Sequence, residues 1–332
     1  MENTKERVTI YEVAKASGVS LATVSRVINN TGTVKEDTKR TVLSVIKKLG
    51  YKPSGLAQAL ATNRTTNIGV IIPSANYVYI SNLVNGITQV CKDKGFTLLL
   101  YTTSHSREDA LGCLERVIKS HVDGVIVFDD ELNGEDLEVF NSYGVPVIDV
   151  NNNVIASKIG CIPFGYEHLI KRIIEENFIR GDKKMTFLHV HNAGRLLSRV
   201  ENTFIKVHME NDREYNIMNC DDSYNRTYQD FMERFKQKRK EYVIAYRDSI
   251  AAAVLNAATD SGLSVPGDVE VLSIIGTKYS SIIRPQITNL HIDFNEVGKT
   301  SMYMLIDLIN GELEQKVYKF ESTYVKKDST RF

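Results

Sequence analysis

The alternation of strands and helices over residues 67–332 is the feature that most restricts the fold of this chain. Short runs rich in β-branched residues are separated by amphipathic stretches, and glycines stand at many of the turns. Such alternation predicts parallel sheets covered by helices on both faces. The pattern pauses through residues 151–159 and then resumes, so the sequence predicts two doubly wound α/β lobes.

Individual segments support this architecture. Strands are predicted over residues 68–72, 97–101, 124–128, 145–150, 185–190, 217–218, 242–245 and 269–275. Helices are predicted over residues 81–94, 109–120, 166–176, 199–210, 224–238, 250–261 and 296–309. The predicted core resembles periplasmic sugar-binding proteins, which implies chain crossings between the lobes near residues 152–162, 289–294 and 320. Lobes joined in this way can close on a ligand held at the strand ends.

Residues 9–29 have the apolar spacing and turn chemistry of a helix-turn-helix. Ile10, Val13 and Ala14 recur at helical spacing, Gly18 tolerates a positive φ in the turn, and Ser20 can cap the next helix. That helix is predicted over residues 21–28. An ordinary helical hairpin would show the same spacing, so the spacing alone leaves both interpretations open.

The second of these helices has an outer side that could contact DNA. Val24, Val27 and Ile28 are expected to pack inward, which leaves the other side to solvent. The N-terminal residues of such a helix can enter the major groove, where an arginine can bond guanine through two acceptors. The candidate DNA-binding residues in this region are Thr9, Ser20, Leu21, Ala22, Thr23, Ser25, Arg26 and Asn29.

Charge is distributed unevenly along the chain. Its 41 Lys/Arg balance 41 Asp/Glu, but residues 1–66 carry 11 Lys/Arg against five Asp/Glu. The head therefore has six surplus positive charges and the remainder six surplus negative charges. A basic head can neutralise phosphates and release counterions, whereas an acidic body limits nonspecific attachment to DNA. A third helix, predicted over residues 35–49, would complete the small core of this head.

Several motifs resemble the lactose/galactose repressor (LacI/GalR) family of bacterial transcription regulators. They are the helix-turn-helix itself and residues 48–53 (KLGYKP), 56–60 (LAQAL), 68–73 (IGVIIP) and 262–266 (GLSVP). Residues 9–14, 22–27 and 284–286 are most similar to the catabolite control proteins of Gram-positive bacteria. The resemblance spans nearly the whole chain. It implies a repressor: a DNA-binding regulator that acts as a homodimer on a pseudo-palindromic operator.

The resemblance also assigns the domains. It implies a helix-turn-helix head over residues 1–52 and a hinge helix with linker over 53–66. The N-lobe would comprise residues 67–162 and 293–319, and the C-lobe residues 163–290 and 320–332. In the hinge, Ala57 would allow close approach of two copies and Leu60 would wedge into the minor groove. The alternative is that Leu56 and Leu60 form a plain core pair.

Dimer contacts are implied for the helices near residues 81–90 and 250–258. Their apolar faces include Leu83, Ile87 and Val254. The alternative is that these faces only cover their own sheets, as one face of each helix must do.

The cleft between the lobes departs from the family at several positions where polar ligand contacts are usual. Ser74, Phe164, Val200 and Ile275 stand there, and Asp248 matches. Fewer polar partners mean fewer hydrogen bonds to discriminate sugars, so free hexoses are not expected as effectors. A flatter, less hydroxylated ligand is predicted, anionic if arginines point inward. The effector-cleft candidates are Ser74, Tyr77, Tyr79, Phe164, Arg199, Arg247, Asp248 and Ile275.

Two alternatives to control by a small molecule in the cleft remain open. The cleft could be vestigial, or a protein partner such as the serine-phosphorylated phosphocarrier protein could act in place of a small molecule. An enzyme is not predicted, because the sequence has no phosphate loop and no GxSxG elbow. The alternative function is a small-molecule-binding α/β protein without a role in DNA regulation.

Cofactors, metals and membranes are not indicated by the sequence. Cys91, Cys113, Cys161 and Cys220 are scattered and are expected to be reduced core residues. The close pair His189 and His191 would need a third ligand to hold a metal. No pattern in the sequence brings His168 or Asp222 to the pair, so a structural role is favoured. With no signal peptide and no apolar run of about 18 residues, a cytoplasmic location is expected.

Overall fold

The computed structural model describes residues 8–29, 31–52, 64–152, 154, 156–181, 183–191, 194–237 and 239–332. The chain divides into two compact units, Met1–Thr66 and Asn67–Phe332, and each is described by itself. Ala57 and Leu60, predicted to act in the hinge, lie outside the described residues. Of the helices within the described ranges, none has the length and apolar character needed to cross a membrane.

The described residues of the first unit form a head of three helices. Its helices are α1 (Ile10–Ser17), α2 (Leu21–Asn29) and α3 (Glu36–Leu49). Val13, Val24 and Val42, one from each helix, are fully buried at its centre. Gly18 ends α1 with a φ of 65°, in the left-handed region that favours glycine. The predicted three-helix arrangement and its glycine turn are therefore confirmed.

The N-lobe is built on a five-stranded parallel sheet in the order β2-β1-β3-β4-β5. Its strands are β1 (Asn67–Ile72), β2 (Thr97–Thr102), β3 (Gly124–Val127), β4 (Val147–Val150) and β5 (Ile159–Ile162). The connecting helices are α4 (Val78–Lys94), α5 (Arg107–Lys119) and α6 (Gly134–Ser142). Central strands β1, β3 and β4 are almost completely buried, as a parallel sheet covered on both faces requires.

The C-lobe is built on a six-stranded sheet in the order β13-β11-β10-β9-β7-β8, parallel except for the edge strand β13. After the short β6 (Phe164–Gly165), its elements in chain order are α7 (Glu167–Arg180), β7 (Lys184–Val190), α8 (Gly194–Glu210), β8 (Tyr215–Cys220), α9 (Tyr224–Phe235), β9 (Glu241–Arg247), α10 (Asp248–Asp260), β10 (Val269–Ile275), α11 (Tyr279–Ile282) and β11 (Thr288–His291).

The chain then returns to the N-lobe as α12 (Phe294–Asn310) and comes back through β12 (Phe320–Glu321) and β13 (Thr323–Val325). Helix α12 packs along α4 and also contacts β3, β4 and β5. Strand β12 pairs with β6 in a two-stranded sheet between the lobes. These crossings hold the two lobes together around a cleft.

Helices α4 and α12 cross with their backbones in close contact. A Cβ atom added at Gly86 would lie 2.0 Å from the carbonyl oxygen of Asn295, and one added at Gly298 would lie 2.1 Å from that of Leu83. Only glycine fits at this crossing. The crossing also brings the first turns of both helices, which carry Tyr79 and Phe294, to one edge of the cleft.

The structure contains elements that the sequence did not predict: helices α6 and α11 and strands β5, β6, β11, β12 and β13. Helix α6 was not predicted, because its apolar residues Leu137 and Phe140 form only a short pattern behind Gly134. Strand β5 lies at the end of the segment, residues 152–162, for which the resemblance implied a crossing between the lobes. All four of its residues are buried, because the segment around Lys316 covers this sheet edge and accepts a 2.7 Å hydrogen bond from the Cys161 N–H.

Candidate DNA-binding head and interlobe cleft

Helix α1 begins with a capping box. The Thr9 hydroxyl accepts from the Glu12 N–H at 3.4 Å, and the Glu12 carboxylate accepts from the Thr9 N–H at 2.7 Å. The hydrogen bond from the Thr9 backbone lowers the pKa of Glu12. The predicted DNA contact Thr9 is therefore also the residue that fixes where α1 starts.

Helix α2 presents a small outer face with an arginine. The Ser20 hydroxyl accepts from the Thr23 N–H at 3.2 Å, so Ser20 caps the helix as predicted. Ala22 and Arg26 are exposed on the same side, while Val24 and Val27 are buried against the head core. Ala22 and Arg26 are therefore exposed on the outer side of α2, as expected from the sequence.

Three other predicted outer residues of α2 are only partly exposed. Leu21 is half-buried and packs against the head core, because an apolar side chain in the first turn contributes to that core. The expectation that Leu21 lies wholly on the outer side is wrong. Asn29 and Ser25 are also half-buried, and the Asn29 amide donates to the Ser25 hydroxyl at 3.2 Å.

The cleft of the second unit is closed around a small inner cavity. Its volume is about 30 Å³, enough for one or two water-sized groups because a single water needs about 10–15 Å³. The described residues lining it come from both lobes and from the crossings between them. They are Pro73, Tyr79, His105, Phe128, Asp129, Asp130, Glu131, Asn151, Gly194, Leu196, Tyr246, Ile275 and Phe294.

Two arginines of α8 connect the C-lobe to the N-lobe. Arg195 donates from Nη2 to the carbonyl oxygens of Asp130 and Leu132, at 3.0 and 2.7 Å. Arg199 donates to the Asn151 side-chain oxygen at 2.9 Å and to its carbonyl at 3.3 Å. These hydrogen bonds hold α8 against the carboxyl ends of β3 and β4, so they stabilise the closed arrangement.

Acidic side chains gather at the same strand ends. Asp129 accepts from the Thr103 hydroxyl at 2.6 Å and from the Glu131 N–H at 2.9 Å. Burial raises the pKa of Asp130, although its carboxylate accepts a hydrogen bond from the Arg195 N–H. Burial raises the pKa of Asp149 to about 8, and the neighbouring Asp130 and Asp129 carboxylates add to this. The Asp130 and Asp149 carboxyl groups are therefore costly to ionise.

Aromatic rings form the other wall of the cleft. Tyr79, Phe128, Phe164 and Phe294 contact one another with ring centroids 5.2–6.3 Å apart. The hydroxyls of Tyr79 and Tyr246 share a hydrogen bond, and burial raises the pKa of Tyr246 to about 12. These rings close the inner end of the cleft against water.

The mouth of the cleft is formed by a stacked arrangement. Tyr77 stacks on Tyr79 with centroids 5.6 Å apart, and the Arg247 guanidinium lies 4.4 Å from the Tyr77 centroid. Arg247 also forms a two-point ion pair with Asp222. The Tyr77 hydroxyl and His105 Nε2 are 3.3 Å apart.

The predicted cleft residues are therefore not all used as expected. Tyr79 and Ile275 line the inner cavity, and Phe164 belongs to the aromatic wall. Asp248 does not line it: its carboxylate accepts from the Thr277 N–H at 2.8 Å and from the Thr277 hydroxyl at 2.6 Å. This aspartate starts α10 and fixes the loop after β10, and its role as a ligand contact stays a prediction.

Ser74 and the two candidate arginines have local partners. The Ser74 hydroxyl accepts from the Asn76 N–H at 3.2 Å in the loop after β1. Arg199 also pairs with Glu167 at 3.3 Å, in addition to its bonds to Asn151. Arg247 is held by Asp222, so both candidate arginines have protein partners, and the anionic ligand stays a prediction.

One member of the close pair His189 and His191 also has a protein partner. Nδ1 of His189 lies 2.8 Å from the Glu201 carboxylate on α8. Throughout the described ranges, no three His, Cys, Asp or Glu side chains are grouped to hold a metal ion.

The apolar residues expected at a dimer contact are buried within their own chain. Leu83 and Ile87 on α4 and Ala251, Val254 and Leu255 on α10 have no exposed surface. Polar residues occupy the outer side of α4, among them Ser81, Asn85 and Thr88. These five residues cover their own lobe, whereas Val84 on α4 is half-exposed, and the dimer contact through the two helices stays a prediction.

Sequence reasoning missed the acidic group Asp129, Asp130, Glu131 and Asp149, together with Arg195. A usable signal was present: the run Asp129 to Glu131 directly follows a buried strand, and Asp149 lies in the next one. Side chains at the carboxyl ends of parallel strands meet at one sheet edge, which is where open α/β sheets bind ligands.

Comparisons with known proteins agree with this architecture. Residues 9–54 match the family described as bacterial regulatory proteins, lacI family, and residues 187–330 match the periplasmic binding protein-like domain. The HTH-type transcriptional regulator pepR1 of Lactobacillus delbrueckii subsp. lactis is 30% identical, with 98% of each chain covered. Catabolite control protein A of Staphylococcus xylosus is 28% identical over 92% of this chain and 93% of its own length.

A solved structure agrees as well. The lac repressor dimer bound to operator and an anti-inducer superimposes with a TM-score of 0.84 at 25% identity, covering 98% of this chain and 99% of the other. The helix-turn-helix head, the two-lobed core and these relatives lead to one assignment. This chain belongs to the LacI family of DNA-binding bacterial transcription regulators.

Proposed function

We propose that this protein is a repressor that binds as a homodimer to an AT-rich pseudo-palindromic operator with a central CG step. The observation that carries the proposal is the outer face of α2, where Ala22 and Arg26 are exposed on a helix that Ser20 caps. The surplus of positive charge in residues 1–66 supports attachment to phosphates. The catabolite control proteins among its relatives favour a role in carbohydrate metabolism.

Arg26 is proposed to read one base pair in each half-site. The Arg26→Ala variant is expected to lose about 1–3 kcal/mol of operator affinity and to relax preference at that position. Arg40→Ala is the matched control, because Arg40 is exposed on α3 and pairs only loosely with Glu36 at 3.7 Å. It removes the same charge from the same head and should weaken binding to all DNA sequences alike.

Fluorescence anisotropy tests this with the full-length protein, an operator obtained by sequence selection from random DNA, and two salt concentrations. Specific binding that weakens as salt rises supports the proposal. If Arg26→Ala and Arg40→Ala lose equal affinity for the operator and for random DNA, the assignment of Arg26 is contradicted. Absence of any selected sequence would favour the alternative, a small-molecule-binding protein without a role in DNA regulation.

Leu60 and Ala57 are proposed, from the family resemblance, to act where two hinge segments meet over the operator centre. Leu60→Ala should reduce DNA bending in a circular-permutation assay and leave the second unit's unfolding temperature unchanged. An unchanged bend angle with unchanged affinity would assign Leu60 to packing alone.

Control is proposed to act through the interlobe cleft, since ligand binding there can change the arrangement of the lobes. A protein partner, the serine-phosphorylated phosphocarrier protein, is the competing effector that family resemblance suggests. Thermal-shift measurements with that protein and with small molecules separate the two. Saturable stabilisation by a free hexose at micromolar concentration would contradict the interpretation of the cleft as unsuited to sugars.

A further inference from the structure

The loop after β3 in the N-lobe and the first turn of α8 in the C-lobe are bonded to each other across the cleft. The Asp130 carboxylate accepts a hydrogen bond from the Arg195 N–H. In the other direction, Arg195 Nη2 donates to the carbonyl oxygens of Asp130 and Leu132, at 3.0 and 2.7 Å. Both the side chain and the backbone of Asp130 are therefore held by the opposite lobe.

Gly194, the first residue of α8, lets Asp130 approach this closely. A Cβ atom added at Gly194 would lie 1.9 Å from Asp130 Oδ2 and 2.8 Å from its Cγ, but 3.5 Å from its Cβ, which is an ordinary contact. The conflict is therefore with the carboxylate alone. Gly194 also has a φ of 88°, in the left-handed region that favours glycine.

Further contacts join the lobes on either side of this pair. The hydroxyls of Tyr79 on α4 and Tyr246 on β9 share a hydrogen bond, and the Arg247 guanidinium lies 4.4 Å from the Tyr77 centroid. The inner cavity that remains measures about 30 Å³, whereas pockets for small molecules measure roughly 300–1,000 Å³. A ligand therefore cannot enter the inner cleft unless contacts between the lobes break.

We propose that Asp130, Gly194 and Arg195 form an interlobe latch that closes the cleft on the protein's own side chains, so that a ligand enters only by displacing Asp130 from α8. The latch supplies from the protein the bonds across the cleft that a ligand would otherwise make. A ligand that displaces it favours the open arrangement, because it binds that arrangement better. This inference rests on the proposed control through the cleft and gives its direction: an effector opens the lobes.

A double-mutant cycle on the full-length protein, dialysed against buffer without small molecules, tests the latch by thermal unfolding. Gly194→Ala should lower the unfolding temperature by at least about 2 °C more in the wild-type background than in the Asp130→Ala background, because residues in contact are energetically coupled. The strain of an alanine at a positive φ is present in both backgrounds, so it cancels. Since the two residues belong to different lobes, coupling between them requires a closed cleft.

Glu135→Ala is the matched control for Asp130→Ala, because Glu135 is an exposed carboxylate on α6 of the same lobe. Its effect should add to that of Gly194→Ala. In small-angle scattering, Asp130→Ala should increase the radius of gyration and Glu135→Ala should leave it unchanged. A second cycle, Tyr79→Phe with Tyr246→Phe, removes one hydroxyl from each lobe while keeping both rings, and it decides the question if Gly194→Ala does not fold.

Additive effects of Gly194→Ala and Asp130→Ala would overturn the latch, and so would an unchanged radius of gyration in Asp130→Ala. If Gly194→Ala does not fold, additive effects of the two tyrosine changes would overturn it. Operator affinity of the wild-type protein is measured by anisotropy on the same preparation. Absence of a selected operator with intact coupling would contradict the proposed DNA function alone, so the two failures are distinguishable.

Discussion

The crossing of α4 and α12 offers a sharp test of how the cleft is positioned. Gly298→Ala introduces a Cβ atom 2.1 Å from the Leu83 carbonyl oxygen, where real contacts stay beyond about 3 Å. The helices must therefore separate by about 1 Å, since backbone atoms of α4 cannot rotate away as a side chain could. Tyr79 and Phe294, whose rings lie 5.2 Å apart at the starts of these helices, would separate with them.

The expected change in the free energy of unfolding of Gly298→Ala follows from two opposing effects. Overpacking of this kind costs about 1–3 kcal/mol, and contact with a backbone carbonyl places it at the upper end. Alanine is favoured over glycine within a helix by about 1 kcal/mol. The free energy of unfolding should therefore fall by about 2 kcal/mol, which corresponds to about 4–8 °C in unfolding temperature for a unit of this size.

Urea unfolding followed by circular dichroism measures this change, with Gly112→Ala as the control. Gly112 lies within α5, and a Cβ atom there would meet no atom within 4 Å. The control should gain up to about 1 kcal/mol from helix propensity alone. If Gly298→Ala were as stable as Gly112→Ala, the close backbone contact between α4 and α12 would be refuted.

Three further changes test the electrostatics of the second unit. Arg195→Ala removes two hydrogen bonds between the lobes and should increase the radius of gyration measured by small-angle scattering; an unchanged radius would mean that Arg195 does not hold the cleft closed. Because the pKa of Asp149 is raised to about 8 in the folded protein, its contribution to stability is present below about pH 4 and is lost as pH rises towards 8, by up to about 1.4 kcal/mol per unit. Asp149→Asn should therefore gain unfolding temperature relative to wild type between pH 5 and pH 8, and a constant difference would contradict this. Glu270→Gln leaves Lys183, which is 1% exposed and 3.1 Å away, without its anion and should cost about 3–5 kcal/mol, whereas the exposed control Glu214→Gln should cost less than about 1 kcal/mol in the same denaturation assay.

The fold was largely predictable because its signals are local. Apolar spacing, the glycine at position 18 and the serine at position 20 specify the helix-turn-helix over a span of about 20 residues. Buried β-branched runs likewise specify the strands, and the intervening helices require parallel pairing. Helix α6 and strand β5 escaped prediction because their apolar patterns are short and their burial depends on distant segments.

The site was less predictable because its contacts join residues that are far apart in the chain. Nothing local in the sequence shows that Asp248 bonds Thr277 instead of a ligand. Nor does a local pattern show that the Arg199 guanidinium is used by Asn151, 48 residues away. Family resemblance supplied the position of the cleft, but it could not supply which of its polar groups were already paired.

The sequence by itself determined the helical head, the basic charge of that head and the two-lobed parallel sheets, since each depends on periodicity or composition within a short window. Only the tertiary structure decided that two glycines bring α4 and α12 into contact, and that the acidic residues after β3 line one cavity together with aromatic residues from distant segments. The physical reason is that burial and charge pairing depend on distances in space, which strand and helix patterns do not specify.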